Sequence, residues 1–290
     1  MKITDIVESR PYSISFEVFP PKTEDNREVV EKAAHAIAAL HPAFMSVTYG
    51  AGGGTSDYTA RLSDDLQRES GVPVMAHLTC ITSSPERIRS QLTQLRDRGI
   101  ENILALRGDI PEGFELAQQS YHHAVELVRD IKAFDPNFCI GGACYPETHP
   151  DAESQKEDLR HLKEKVDAGM DFLVTQLFFD NPVFYSFMYH LREAGIQVPV
   201  HPGIMPIVNA KQVRRTLKLS GTQLPERFRR LLDAFGDSPD AMRQAGVAYA
   251  TDQIIDLFAN GFRTVHVYSM NNPAVAAAIL DNLSHILTLE

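Results

Sequence analysis

Ser13-Ile14-Ser15-Phe16-Glu17-Val18-Phe19-Pro20-Pro21-Lys22 sets a pattern that the rest of the chain repeats. Positions 12 to 19 alternate and are rich in β-forming residues, which predicts a strand, and the two prolines end it sharply. Glu17 sits inside this apolar run, two residues from its C-terminal end. A carboxylate there must be paired, neutralised or used, because desolvating an unpaired charge is costly. An ion pair filling one layer of a barrel core would account for it. A catalytic acid would account for it equally well, and several later strands end in the same polar way.

Outward from that stretch, strand-like and helix-like segments alternate to the end of the chain. Apolar β-rich runs lie near 12–19, 43–48, 73–79, 102–106, 138–145, 171–177, 198–204 and 263–268. Helical patterns fall near 24–40, 57–70, 85–98, 119–133, 151–169, 182–194, 209–219 and 273–287. An extra helical pair, about 225–235 and 239–260, precedes the last strand. Eight strand–helix units without a Ser/Pro-rich linker predict an α/β protein, a (β/α)₈ TIM barrel spanning 1–290 as a single domain. An open doubly wound sheet is the competing architecture.

In such a barrel, chemistry gathers at the C-terminal ends of the strands. Those ends are polar here: Glu17; Thr48-Tyr49-Gly50; His77-Leu78-Thr79; Arg107-Gly108-Asp109; Tyr145-Pro146-Glu147-Thr148-His149; Thr175-Gln176; His201-Pro202-Gly203; and His266-Val267-Tyr268. Any one could be a loop anchor or a helix cap. Together they predict a single polar mouth.

The formal net charge of -10 argues against a nucleic-acid or anionic-membrane binder. Hydrophobic content of 43% and charged content of 23% are those of a soluble globular enzyme. The first eight residues carry no signal-peptide core and no stretch is long enough to span a bilayer, so a cytoplasmic protein is expected. Cys80, Cys139 and Cys144 form no CxxC pair, and Cys139 and Cys144 share one predicted strand, so no disulfide is expected.

Gly50-Ala51-Gly52-Gly53-Gly54-Thr55 follows a strand and precedes a helix, but Thr55 stands where a dinucleotide fingerprint needs Gly or Ala. It reads as a βα loop that lets backbone approach a ligand. His77, His149 and His201 lack metal-ligand spacing, so no metal is expected. Arg107-Gly108-Asp109, directly after Ile103-Leu104-Ala105-Leu106, is placed to offer a cation, backbone donors and a carboxylate to a bound cofactor.

Seven motifs, in order along the chain, resemble the methylenetetrahydrofolate reductase family in its short bacterial form. They are Ser15-Phe16-Glu17-Val18-Phe19-Pro20-Pro21-Lys22, Ser46-Val47-Thr48-Tyr49-Gly50-Ala51, Ala76-His77-Leu78-Thr79-Cys80, Leu104-Ala105-Leu106-Arg107-Gly108-Asp109, Tyr145-Pro146-Glu147-Thr148-His149-Pro150, Thr175-Gln176-Leu177-Phe178-Phe179-Asp180 and Pro202-Gly203-Ile204-Met205-Pro206. The resemblance implies a barrel that holds FAD and reduces 5,10-methylenetetrahydrofolate to 5-methyltetrahydrofolate, with NADH or NADPH alternating with folate in a ping-pong cycle. A homo-oligomer is expected, and electrons from a partner protein stand as the alternative to NAD(P)H.

Carried over position by position, the resemblance implies FAD contacts from Thr48, Tyr49, Ala51, His77, Arg107, Gly108, Asp109, His123, Ala124, Tyr145, His149, Ala152, Asp158, His161 and Lys165. It implies folate contacts from Asp109, Gln176 and Gln212, with Glu17 and Asp109 as the catalytic carboxylates. Glu17 suits the donation of a proton to folate N10 if apolar strand neighbours keep it protonated. The chain departs from the pattern at His123, where a tyrosine is common, and at His161 and Glu164, which replace an asparagine and an arginine. Thr216 and Asn272 replace a phenylalanine and an arginine linked to the substrate and nicotinamide sites. A non-redox barrel lyase using Glu17 and Asp109, and a binding subunit without its own reductase activity, are the other classes to separate.

Overall fold

A computed structural model describes residues 1–21, 23–49, 56–110 and 119–289; within α-helices, the side chains of Ser56, Gln212, Arg214, Arg215, Lys218 and Leu219 also fall outside the description. Its strands are β1 (Ser13–Val18), β2 (Met45–Val47), β3 (Val74–Thr79), β4 (Asn102–Leu106), β5 (Cys139–Cys144), β6 (Phe172–Thr175), β7 (Val200–His201), β8 (Gly203–Ile204) and β9 (Thr264–Tyr268). All pair in parallel in the order β7-β6-β5-β4-β3-β2-β1-β9-β8. The expected strand over 198–204 is therefore two short pieces that share one stave. Val200–His201 pairs with β6, Gly203–Ile204 pairs with β9, and Pro202, which has no N–H to give a ladder, separates them. That divided stave closes the (β/α)₈ barrel.

The helices are α1 (Ile3–Glu8), α2 (Arg27–Ala38), α3 (Ser56–Ser70), α4 (Pro85–Asp97), α5 (Ala124–Phe134), α6 (Gln155–Asp167), α7 (Asn181–Glu193), α8 (Ala210–Ser220), α9 (Glu226–Phe235), α10 (Pro239–Ala259) and α11 (Pro273–Leu287). Successive residues of a strand point to opposite faces. Ile14, Phe16 and Val18 of β1 accordingly join the large cluster beneath the helices, which also takes Ala34 and Ile37 of α2 and Ile279 and Leu283 of α11. Ser15 and Glu17 face the barrel interior instead.

Helix α1 was not foreseen. Its Ile3, Ile6 and Val7 recur at helical spacing and pack with Phe44, Met75, Leu104, Cys139, Phe172 and Val174, plugging the N-terminal end of the barrel. Asn102 anchors the plug, accepting from Ile3 N at 2.9 Å and donating to the Met1 carbonyl at 3.1 Å. At the opposite end, α8, α9 and α10 form a third cluster over the chain that leaves β6 and β8, with Leu177, Phe179, Met205, Ile207, Phe228 and Met242. The extra helical pair thus walls one flank of the mouth. Cys139 and Cys144 lie in β5 and, like Cys80, are free thiols. Among the described residues no helix is long and apolar enough to cross a membrane.

Candidate active site

A cleft of about 550 Å³ opens at the C-terminal ends of β3, β4 and β5. Three loops build it. After β4 the chain turns at Gly108, whose φ of +88° suits glycine and whose missing Cβ would stand 2.9 Å from Thr79 Cβ. That close approach leaves Arg107 and Asp109 at the cleft wall. After β5, Tyr145 and His149 meet edge to face with ring centroids 4.4 Å apart. Asp158, in the first turn of α6, accepts from His149 N at 2.9 Å and fixes that loop to its helix. The third wall is the start of α5, where His122 N and His123 N both donate to Glu126 Oε2.

Of the residues expected to hold FAD, the structure brings Tyr49, Arg107, Gly108, Asp109, His123, Ala124, Tyr145, His149, Ala152, Asp158, His161 and Lys165 to this one cleft. Ala124 and Ala152 leave room where larger side chains would fill it. His161 stacks on His123, centroids 5.8 Å apart and planes 19° from parallel, so two of the residues that depart from the family pattern lie together. Glu164 accepts from Arg160 at 2.7 Å, while Asn272 caps α11 by accepting from Val275 N at 3.2 Å. Ala51 and the Gly50–Thr55 loop lie outside the described residues, as does the Gln212 side chain.

The remaining expected residues lie elsewhere. Thr48 follows β2, with its N–H on the Val18 carbonyl at 3.0 Å. Gln176 directly follows β6; its Oε1 accepts from Leu177 N at 2.9 Å. Glu17 and His77 are buried in the barrel interior, each 7% exposed, with His77 Nε2 3.4 Å from Glu17 Oε2. The apolar strand neighbours expected around Glu17 do not surround its carboxylate. Phe16 and Val18 point outward to the helices, while Ser46 Oγ at 3.5 Å and His266 Nε2 at 3.8 Å face Glu17.

Charge in the cleft is uneven. Carboxylates of Asp109, Asp151, Glu153, Glu157, Asp158 and Glu164 line it, against the cations Arg107 and Lys165. Arg107 donates to Asp151 Oδ2 at 2.7 Å, and this bond holds the Asp151 carboxyl below the usual range. Lys165 Nζ donates to the Ala143 carbonyl at 3.0 Å, and burial lowers its pKa. Burial raises Tyr145 to about 12, with the Asp109 carboxylate adding to it, and lowers His149. Burial also brings His77 down to about 4, so its ring is neutral near pH 7.

Residues that the sequence reading did not assign include Asp151, Ser46 and His266. Ser46 and His266 stood inside quoted motifs, but their link to Glu17 crosses strands. Asp151 carried no signal beyond following Pro150.

The sequence profile of the methylenetetrahydrofolate reductase family matches residues 2–284. The chain is 38% identical over 298 residues to methylenetetrahydrofolate reductase (NADH) 1 of Arabidopsis thaliana, covering 98% of this chain and 50% of that protein. It is 33% identical over 271 residues to the 5,10-methylenetetrahydrofolate reductase of Escherichia coli K12, covering 93% and 90%. The chain therefore spans about half the length of its plant relatives and most of the enteric one. Among solved structures, a Clostridium thermocellum protein described as binding two copies of 5-methyl-5,6,7,8-tetrahydrofolic acid superposes with a TM-score of 0.70 at 14% identity, covering 99% of this chain and 100% of that one. Oxaloacetate acetylhydrolase follows the same fold, with a TM-score of 0.57 at 12% identity over 99% of this chain and 85% of that one.

Proposed function

This chain belongs to the methylenetetrahydrofolate reductase family, and from that premise we propose that it reduces 5,10-methylenetetrahydrofolate to 5-methyltetrahydrofolate, as one FAD-binding domain using NADH. The observation that carries the reading is the cleft at the ends of β3, β4 and β5, where the structure brings together twelve of the residues expected to hold FAD.

The residues present fit a dinucleotide flavin. Arg107 and Lys165 offer cations for a pyrophosphate, and the turn at Gly108 lets a ligand approach backbone. Tyr49, Tyr145 and the His123–His161 pair offer ring faces and edges. The cleft volume, about 550 Å³, lies within the range of cofactor pockets. When bound, FAD supplies the hydride that reduces the folate.

The chain's own residues supply placement and a proton. Opening the imidazolidine ring requires a proton at N10, and Glu17, a carboxyl group buried in the barrel interior near the C-terminal end of β1, is the donor in this reading. Asp109 accepts from the guanidine-like edge of the pterin. Gln176 at the end of β6 adds a neutral donor and acceptor to the same ligand. The folate and the reductant take turns over one mouth, which gives ping-pong kinetics, and the name of the plant relatives supports NADH as the reductant.

The visible spectrum of the purified protein tests this directly. A flavin band that releases FAD on denaturation, bleaches with NADH and returns with methylenetetrahydrofolate is the expected result. A colourless protein overturns the reading in favour of a non-redox barrel enzyme. Bleaching by dithionite but not by NADH or NADPH assigns electron delivery to a partner protein.

A further inference from the structure

The C-terminal end of β1 is gripped by the loop that follows β9. The two strands pair from Ser13 with Thr264 to Glu17 with Tyr268, where the register ends. Side chains carry the pairing further. Ser269 Oγ donates to the Glu17 carbonyl. Asn271 takes both backbone groups of Phe19: its Oδ1 accepts from Phe19 N at 2.8 Å, and its Nδ2 donates to the Phe19 carbonyl at 3.0 Å. The reverse amide orientation would set donor against donor and acceptor against acceptor, so the side chain has one way to sit. Phe19 N–H is the last donor before Pro20 and Pro21, which have none. On the other flank, Thr48 N donates to the Val18 carbonyl at 3.0 Å.

The loop reaches these groups through a turn that its sequence only half favours. Asn272 N donates to the Ser269 carbonyl at 3.0 Å, and the two residues between, Met270 and Asn271, have φ of +52° and +53°. Those are the signs of a type I′ turn, which Gly, Asn and Asp adopt most readily. Asn271 suits its place. Met270, 43% exposed, does not, because a bulky side chain is strained at positive φ. Strain of this kind persists only where the surroundings impose it, and it gathers at functional sites. Here the turn supplies the angle at which one amide meets Phe19 N and O together.

The grip bears on Glu17. Three groups face its carboxylate, His77 Nε2 at 3.4 Å, Ser46 Oγ at 3.5 Å and His266 Nε2 at 3.8 Å, and all three separations are long. The place of this side chain is therefore set by its backbone more than by bonds to its oxygens. That backbone is fixed at its own carbonyl by Ser269 and two residues on by Asn271.

We propose that Ser269 and Asn271 are positioning residues that hold Glu17 in place by clamping the end of β1 to the loop after β9. The division of labour leaves the carboxylate oxygens free for a ligand while the main chain that carries them stays fixed. The role in turnover rests on the functional reading above, in which Glu17 gives a proton to folate N10. The clamp itself does not depend on that reading.

Amide exchange and rapid mixing on the full chain test the proposal. Asn271→Gly is the informative variant, because glycine accepts the same φ while giving up the amide. Without added ligand, the Phe19 amide of the ¹⁵N-labelled variant is expected to exchange about tenfold faster than in the wild type. Unchanged protection in β3 and β4 serves as evidence of folding. At saturating methylenetetrahydrofolate, reoxidation of the flavin slows by about 10–100-fold, the effect of misplacing a reacting group by about 1 Å. Reduction by NADH, which needs no proton from Glu17, keeps the wild-type rate. Ser269→Ala leaves the turn residues in place and should slow the same half-reaction alone; it decides the question if the glycine variant does not fold. A Phe19 amide that exchanges as in the wild type overturns the clamp. Reoxidation at the wild-type rate despite faster exchange, or an equal slowing of both half-reactions, overturns the positioning role. A wild-type chain that does not reduce the folate overturns the functional reading instead, and the exchange of Phe19 then decides the clamp alone.

Discussion

The Arg107 guanidinium donates to the Asp151 carboxylate at 2.7 Å, joining the turn after β4 to the loop after β5 at the cleft. Asp151 is 61% exposed in its side chain, so the pair is worth about 0.2–1 kcal/mol. An anionic cofactor that uses Arg107 must displace this carboxylate.

Asp151→Asn is therefore expected to tighten FAD binding by up to about fivefold. A fluorescence titration at two salt concentrations measures it. Weaker binding in the variant would show that Asp151 holds the ligand rather than competing with it.

Glu17→Gln is expected to retain the cofactor and its reduction by NADH, because the cofactor cleft is lined by other residues. Reoxidation by methylenetetrahydrofolate should slow by about 10²–10⁴, the contribution of a positioned acid. Separate rapid-mixing traces of the two half-reactions check this. Normal reoxidation would assign the proton to another group.

Acid should destabilise the fold through its buried histidines. Burial takes His201 from 6.5 to about 3 and His77 from 6.5 to about 4. The unfolded chain binds these protons near pH 6.5 and the folded one resists them, so stability is full above 6.5 and is lost as pH falls toward 3–4. Each unit of difference is worth about 1.4 kcal/mol. His201→Leu removes two ring nitrogens that have no partner and should flatten the dependence, read as urea midpoints across that range. A curve as steep as the wild type would locate the acid sensitivity elsewhere.

Gly246 lies on α10 where a Cβ would stand 1.9 Å from the Ile207 carbonyl oxygen. Alanine gains about 1 kcal/mol of helix propensity, but overpacking against backbone costs about 1–3 kcal/mol. Gly246→Ala should therefore lower the melting temperature, by about 2–4 °C for each net kcal/mol lost. A higher melting temperature would mean that α10 shifts freely over the mouth.

The alternation of strands and helices, and the polar strand ends, were readable because each is local in the chain. The break at Pro202 was also written in the sequence, yet one apolar run hid it until the two halves found different neighbours, β6 and β9. Helix α1 escaped because six residues hold too few periods to register. Arg107 and Tyr145 were marked by the polar strand ends, Lys165 was reached only by carrying the family resemblance over, and the structure brings them to one cleft. What surrounds Glu17 was not readable. Its neighbours are His77 on β3, Ser46, 29 positions away, and His266 on the strand that closes the barrel, and only folding of the barrel puts them together.

The plug formed by α1 makes an order of events. The helix leaves the ribosome early, but its seat includes Phe172 and Val174, about 166 residues after Glu8. At about 5–20 residues per second, synthesis takes on the order of ten to thirty seconds to produce that seat. Ile3, Ile6 and Val7 lack part of their seat for that interval, and the floor of the barrel is complete only after six of its strands exist.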